Sequence, residues 1–429
     1  MNPYYIVIVA SLVIIVSYFF NLIAKKTNVP SVLMLITFGI LIKQGMNLAG
    51  MGGINWLPYL EVLGIVGLIM IVLEAALDLE LTKEKWPLIW KSFSVALFSL
   101  LISGAAITYL LMLILHLDLT SGMLYAVPLA VMSSAIVIPS VSNLQADKRE
   151  FMIYESTFSD ILGIMVFYFI LGGTHASTAK GMWFGGFFNI FITVIISVVA
   201  SYGLILLFQN IKSQTKLFLL AAILVLLYAV AKQFHLSSLL IILVFGLVLN
   251  NRHIFFRGKL AKYLKDKEVL NILTNFRLIT IESSFVLRTF FFVIFGITIT
   301  VASIFNYQVL LISVSVLAII YGIRFLMLKL FCGNNTNPQL FLAPRGLITV
   351  LLFYAIPKEF SAQDFNQGIL LFVIIVSNIL MAWTLIRFSK KKISPETDES
   401  IDFVPLGIND KSNNNTTDKK DFDHEDYQG

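Results

Sequence analysis

Two stretches of the chain align without gaps over twelve positions and indicate how it is built. The first reads Ser31-Val-Leu-Met-Leu-Ile-Thr-Phe-Gly39-Ile-Leu-Ile42, and the second reads Ser238-Leu-Leu-Ile-Ile-Leu-Val-Phe-Gly246-Leu-Val-Leu249. Ser, Leu, Phe and Gly recur in register, and neither stretch contains a charge. The match predicts that the chain consists of two related halves, each with an apolar segment suited to hydrocarbon.

Similar apolar segments occur along most of the chain. Hydrophobic residues make up 58% of the 429 residues and charged residues only 13%, which is too little charge to cover a soluble protein of this length. Backbone groups in lipid must bond one another, so these continuous apolar runs predict transmembrane helices. Thirteen spans are predicted, near 4–23, 30–45, 59–78, 92–116, 121–142, 150–171, 184–209, 216–234, 236–250, 279–305, 308–328, 338–356 and 367–386.

The basic residues between the spans predict their orientation. One set of alternate loops carries twenty-one Lys and Arg, whereas the other carries only Lys43, Lys180, Lys232 and Lys358. Basic loops stay in the cytoplasm, so we expect the N-terminus outside and the C-terminus inside. Residues 1–392 then form the transmembrane domain. Residues 393–429, which are acidic and rich in Asn, form a disordered cytoplasmic tail.

Two spans have features that interrupt a helix. The fifth has Pro139 after Ser133 and Ser134, and the twelfth has Pro344 followed by Arg345 and a glycine. In both this pair and the opening pair, the matched spans lie seven apart along the chain. Because seven is odd, the two halves would insert with opposite orientations. Inverted repeats with paired broken helices are typical of secondary transporters, whose ion site lies where the breaks meet.

The sixth span contains two carboxylates, in the run Glu155-Ser-Thr-Phe-Ser-Asp160. Residues four apart share a helix face, so Glu155 lies with Ser159 and Ser156 lies with Asp160 on adjoining faces. Charges near the bilayer centre cost at least about 2.5–3.5 kcal/mol each, so each needs a partner or a function. Oxygen ligands of this kind suit hard monovalent cations.

The basic residues of the apolar spans differ in depth. Arg324 lies four residues from the predicted end of its span and is expected to snorkel to the membrane surface. Arg345 lies deep, in an interrupted helix, and is the expected partner of one carboxylate, which leaves the other free to bind an ion. The competing interpretation is a purely structural charge network, which we favour for Glu155 and Arg345 but not for Asp160.

These motifs together resemble those of the monovalent cation:proton antiporter superfamily, and of its NhaP-like bacterial sodium/proton antiporters in particular. Glu155-Ser-Thr-Phe-Ser-Asp160 is similar to their E-S-x-x-N-D motif, and Ala343-Pro-Arg345-Gly-Leu-Ile to their R-G motif. The resemblance implies an all-α fold of about thirteen helices in two inverted repeats with crossed, interrupted helices. It also implies a homodimer in the bacterial inner membrane, with Asp160 exchanging Na+ for H+ and Glu155 paired with Arg345.

The sequence departs from that pattern at two places. Ser159 replaces the Asn of the motif, and Ser133-Ser134-Ala135-Ile136 replaces a Thr-Asp-Pro run, so an aspartate is missing. The candidate ion- and proton-binding residues are therefore Asp160, Ser159, Ser156, Ser134 and Glu155. With only Asp160 free for the cation, we expect electroneutral one-for-one exchange.

Other functions remain compatible with these residues. Some potassium-efflux relatives carry a serine-rich run like that of the fifth span, so K+/H+ exchange is one alternative. A channel-like or ion-sensing protein that has lost exchange is another. No enzyme motif, cofactor or nucleic-acid partner is expected, and Na+, K+ or Li+, H+ and membrane lipid are the expected partners. A metal ion would bind only transiently, as Na+ at Asp160.

Overall fold

A computed structural model describes residues 3–389 except 28, 49–55, 83, 143, 174–178, 212–215, 235, 237, 257–263, 300–302, 305 and 363–364. The predicted tail at 393–429 thus lies outside the described residues. The described part is helical, without strands. Its helices are α1 (Pro3–Thr27), α2 (Ser31–Leu48), α3 (Leu57–Asp78), α4 (Trp86–Leu115), α5 (Leu119–Ala130), α6 (Ser134–Ser140), α7 (Ala146–Gly173), α8 (Ala179–Phe208), α9 (Lys216–Gln233), α10 (Ser238–Asn250), α11 (Arg252–Phe255), α12 (Asp266–Thr298), α13 (Tyr307–Cys332), α14 (Leu347–Tyr354) and α15 (Gly368–Ser389).

Eleven of the thirteen predicted spans correspond to helical segments long and apolar enough to cross a membrane, within the part of the chain that the structure describes. The other two are shorter. One is α10, with 13 residues, and the other combines a 3₁₀ turn at Gln339–Phe341 with α14. Both are almost wholly buried by neighbouring helices, so neither has to span the full thickness of a bilayer by itself.

The two predicted interruptions are present. An extended segment at 131–133 separates α5 from α6, and a second at 342–346 precedes α14. The breaks lie against each other, because the Ser133 N–H donates to the Pro344 carbonyl at 3.0 Å. Gly346 allows the close approach, since a Cβ there would overlap the Ile136 side chain. Breaks of this kind leave backbone groups unpaired inside the membrane, where each must find another partner.

The two stretches quoted first occupy matching positions in the two halves. In α2, Gly39 packs against Gly296 of α12, and a Cβ on Gly39 would overlap the Val293 carbonyl oxygen. In α10, Gly246 packs against Ala76 of α3 in the same manner. Helices in lipid associate through close packing at small residues, because burying apolar surface brings little gain there. The repeat therefore marks the two glycine contacts that join each half to the other.

Candidate ion-binding site

Asp160 lies in the middle of α7 and faces the first break. Its Oδ2 accepts a hydrogen bond from the Ser134 N–H at 3.0 Å and another from the Ser134 hydroxyl. Ser134 begins α6, so the carboxylate satisfies backbone that the interruption has left without a helical partner. The side chain is 3% exposed. Asp160 and Ser134, both predicted site residues, are thus joined directly.

The second carboxylate oxygen of Asp160, Oδ1, has no hydrogen-bond partner among the described residues. Oδ1 is buried, and the hydroxyl of the neighbouring Ser133 is likewise buried without such a partner in the described part of the chain. A buried carboxylate oxygen without a partner is costly in a protein interior. A proton or a cation on Oδ1 would remove this cost.

The other two predicted hydroxyls do not contact this carboxylate through a hydrogen bond. Ser159 Oγ accepts the N–H of Met132 at 2.9 Å, and thus holds the backbone of the first break. Ser156 Oγ donates to the Ile153 carbonyl of its own helix at 3.2 Å. Of the three predicted serines, only Ser134 is hydrogen-bonded to Asp160.

The expected pairing of Glu155 with Arg345 is corrected by the structure. Glu155 instead accepts a two-pronged hydrogen bond from Arg324, with Nη2 2.9 Å from Oε2 and Nη1 on Oε1. Both side chains are buried, at 4% exposure for Arg324 and 1% for Glu155. Arg324 does not snorkel, because α13 continues to Cys332 and places it two turns from the helix end.

The guanidinium of Arg345 donates hydrogen bonds to backbone carbonyls. It donates to Leu129 O at 3.1 Å and Ala130 O at 3.0 Å, in the last turn of α5, and to Ala343 O beside it. The carbonyls at a helix C-terminus lack intrahelical donors and carry partial negative charge, which a cation stabilises. Arg345 therefore ties the two breaks together, and three of its five N–H groups serve backbone carbonyls and not Glu155.

Glu155 and Arg345 nevertheless line one small polar cavity, together with Ser159 and Arg324. Its volume of about 20 Å³ is enough for about one water molecule. Glu155 and Arg345 form no direct ion pair in the described part of the chain. The cavity that both residues line has room for one water molecule to connect them.

A second basic group lies on the other side of the first break. Pro139 has no N–H, so the Ala135 carbonyl of α6 loses its helical donor. Arg288 of α12 lies 3.3 Å from that carbonyl through Nη1 and 3.4 Å from Glu74 of α3 through Nη2. Arg288 thereby connects α3 and α12 to the helix that begins with Ser134.

A cavity of about 100 Å³ reaches this region from the end of the bundle at which α6 ends. It is lined by Ala135, Ile136, Pro139 and Ser140 of α6, and by residues around the start of α2. Ala135 directly follows Ser134, the donor to Asp160. The loops at this end belong to the strongly basic set, so the predicted orientation makes this cavity cytoplasmic.

The site has a structural counterpart in the second half that is not among the residues predicted from the sequence. In α15, Ser377 accepts the Arg345 N–H at 3.0 Å, and the Asn378 amide donates to the Arg345 carbonyl at 2.8 Å. This pair supports the second break as Ser159 and Asp160 support the first. The signal was present, because Ser-Asp-Ile-Leu at 159–162 recurs as Ser-Asn-Ile-Leu at 377–380. Only one half carries the ionisable residue.

Comparison with known proteins agrees with this architecture. A family model described as sodium/hydrogen exchanger, transmembrane, matches residues 8–391. A structure of the sodium proton antiporter MjNhaP1 from Methanocaldococcus jannaschii at pH 8 matches with a TM-score of 0.66 and 20% identity, covering 91% of this chain and 99% of that one.

An electron-microscopy structure of the same antiporter matches with a TM-score of 0.60 and 20% identity, covering 92% of this chain and 100% of the other. At such identities the likeness establishes the fold. No curated protein matches the chain significantly.

Proposed function

The chain belongs to the sodium/hydrogen exchanger family, a family of transporters, and from that premise we propose that it exchanges Na+ for H+ at Asp160. The observation that carries the proposal is that Asp160 Oδ1 is buried without a hydrogen-bond partner among the described residues, while Oδ2 of the same carboxylate is held by Ser134. This oxygen binds either a proton or a desolvated cation. Binding of one displaces the other, and that competition is the chemistry of an antiporter.

The surrounding residues account for how the site works. Ser134 keeps the carboxylate oriented, Ser159 and Arg345 hold the two breaks, and Glu155 with Arg324 stabilises the helices behind them. In the described conformation, the cavity along α6 extends from the predicted cytoplasmic side as far as Ala135, the residue next to Ser134. Alternating access requires the helices with the breaks to move against α2, α3 and their neighbours.

The stoichiometry follows from the number of free carboxylates. Arg324 neutralises Glu155. In the second half, the position that matches Asp160 is occupied by Asn378, which carries no charge. Among the described residues, Asp160 is then the one group proposed to exchange charge, so one cation moves for one proton. The protein is proposed to act as a homodimer in the bacterial inner membrane, with its N-terminus outside.

The proposal is tested by cation-induced dequenching of a pH dye in everted membrane vesicles. Na+ and Li+ are expected to release the quench more strongly than K+, and clamping the membrane voltage is expected to leave the rate unchanged. A larger response to K+ would identify a K+/H+ exchanger. Voltage-dependent rates would contradict one-for-one exchange, and no response to any cation would favour a channel or sensor.

Ser134→Ala is expected to raise the cation concentration for half-maximal exchange by about tenfold. A hydrogen bond to a charged group contributes about 1.5–3 kcal/mol, and the backbone N–H of residue 134 retains part of the interaction. The matched control is Ser156→Ala, which removes a hydroxyl that bonds only its own helix and is expected to change that concentration less than twofold. An equal rise in that concentration for both variants would indicate that Ser156 also binds the cation, and would contradict the assignment of Ser134 alone.

A further inference from the structure

A third and larger cavity lies at the end of the bundle opposite the cavity along α6. Its volume is about 240 Å³, and it lies between α3, α7, α9 and α14. Its polar lining groups are Tyr168, Tyr228, Tyr354 and Lys232. The predicted orientation places it on the outer side, where Lys358 also lies.

The cavity and the proposed ion site share helix α7. Tyr168 follows Asp160 by eight residues, so it lies about 12 Å farther along the helix axis and about 80° around it. Ile164 lies between them along the helix and is 1% exposed. Buried apolar residues of α7 thus lie between the cavity and Asp160, as expected of a vestibule closed at its inner end.

Lys232 is a cation placed within this vestibule. Its Nζ lies 5.9 Å from the centre of the Tyr168 ring, at a distance where a cation is attracted to the aromatic face. Among the residues that the structure describes, no carboxylate lies within ion-pair distance of it. The described side chains therefore leave the positive charge of Lys232 without an ion-pair partner in the vestibule.

We propose that Lys232 is a specificity-determining residue that limits cation entry from this side. Its ammonium group lies over the Tyr168 ring, the aromatic site that an incoming cation must pass. The proposal rests on the proposed function. A monovalent cation entering from this side is repelled by the Lys232 ammonium, which also occupies the aromatic face of Tyr168. A cation entering along α6 from the other side meets neither.

The expected consequence is an asymmetry between the two membrane faces. Lys232→Gln removes the charge and keeps much of the side-chain length. The cation concentration for half-maximal exchange is expected to fall about three- to tenfold when the cation is added on the face that carries Lys358. It is expected to change less than twofold when the cation is added on the other face. Lys232→Arg, which keeps the charge, is expected to resemble the unsubstituted protein on both faces.

The measurement compares right-side-out with everted vesicles that contain the full chain. Lys358→Gln is the matched control, because it removes a charge from the same predicted face outside the cavity, and it is expected to have no effect. An unchanged value for Lys232→Gln, an equal change on both faces, or the same change in Lys358→Gln would each overturn the proposal.

Chemical labelling tests the placement independently of transport. A membrane-impermeant, sulfonated amine-reactive ester is expected to label Lys232 from the face at which it labels Lys358, and Lys267 from the opposite face. If the unsubstituted protein exchanges no cation, the proposed function fails by itself, and labelling of Lys232 still decides whether it lies in a water-filled vestibule. Failure to label Lys232 from either face, or labelling with Lys267, would overturn the placement.

Discussion

Asp160→Asn is expected to abolish cation-induced proton movement, with a loss of at least about a hundredfold in rate, as for removal of other groups that bind and release the reacting proton. Asparagine has nearly the same shape and keeps an oxygen that accepts from Ser134. It has no charge to balance a cation and no proton to release. The protein should therefore fold normally and remain inactive with Na+, Li+ and K+ in the vesicle dequenching measurement.

Asp118→Asn provides a matched control for this substitution. Asp118 caps the start of α5 by accepting the N–H groups of Thr120 and Ser121, both at 3.1 Å, and asparagine is an equally good capping residue. The same chemical change outside the site is expected to leave exchange unaltered. Exchange that persists in Asp160→Asn at an unchanged melting temperature would remove Asp160 from the mechanism.

Arg324→Met is expected to destabilise the protein by about 3–5 kcal/mol, measured as the loss of free energy of unfolding in detergent. The substitution leaves the buried Glu155 carboxylate without its partner and also frees the carbonyls of Gln339 and Leu340. Glu155→Met is expected to have a cost of similar size, because it leaves an unpaired guanidinium. The double substitution should be less destabilising than the sum of the two, since no buried charge is then left unpaired.

The control for this series is Arg387→Gln, near the end of α15. Arg387 packs over Trp383, which is 52% exposed, and its loss is expected to change the free energy of unfolding by at most about 0.5 kcal/mol. Two results would contradict a structural role for the pair. One is additive effects in the double variant, and the other is a Glu155→Gln protein of normal stability whose exchange is lost. The second would return Glu155 to the ion-binding residues.

The interruptions and the buried carboxylate of Asp160 could be predicted from the sequence alone. Pro139 and Pro344 lack the N–H that a helix needs, and their effect on an apolar helix is local. Asp160 is conspicuous for the same kind of reason, because a carboxylate deep in an apolar run carries a cost regardless of its neighbours. The number of spans and the shortness of α10 could also be read from hydropathy, although only the structure showed that α14 is short as well.

The partners of these groups could not be predicted in the same way. Arg324 was assigned to the surface because its predicted span ended at 328, whereas α13 continues to Cys332. Arg345 was assigned to Glu155 because both were known to be deep, and depth alone does not reveal which carbonyls a broken helix leaves exposed.

The sequence by itself therefore determined which residues are costly in a membrane and where the helices break, since both depend on a residue and its nearest neighbours in the chain. Only the tertiary structure decided that Ser134 rather than Ser156 bonds Asp160, and that Glu155 pairs with Arg324. Helical periodicity shows which side chains share a face, but the group opposite that face comes from a distant segment. Its identity depends on how the helices pack, and a single extra helical turn is enough to change it.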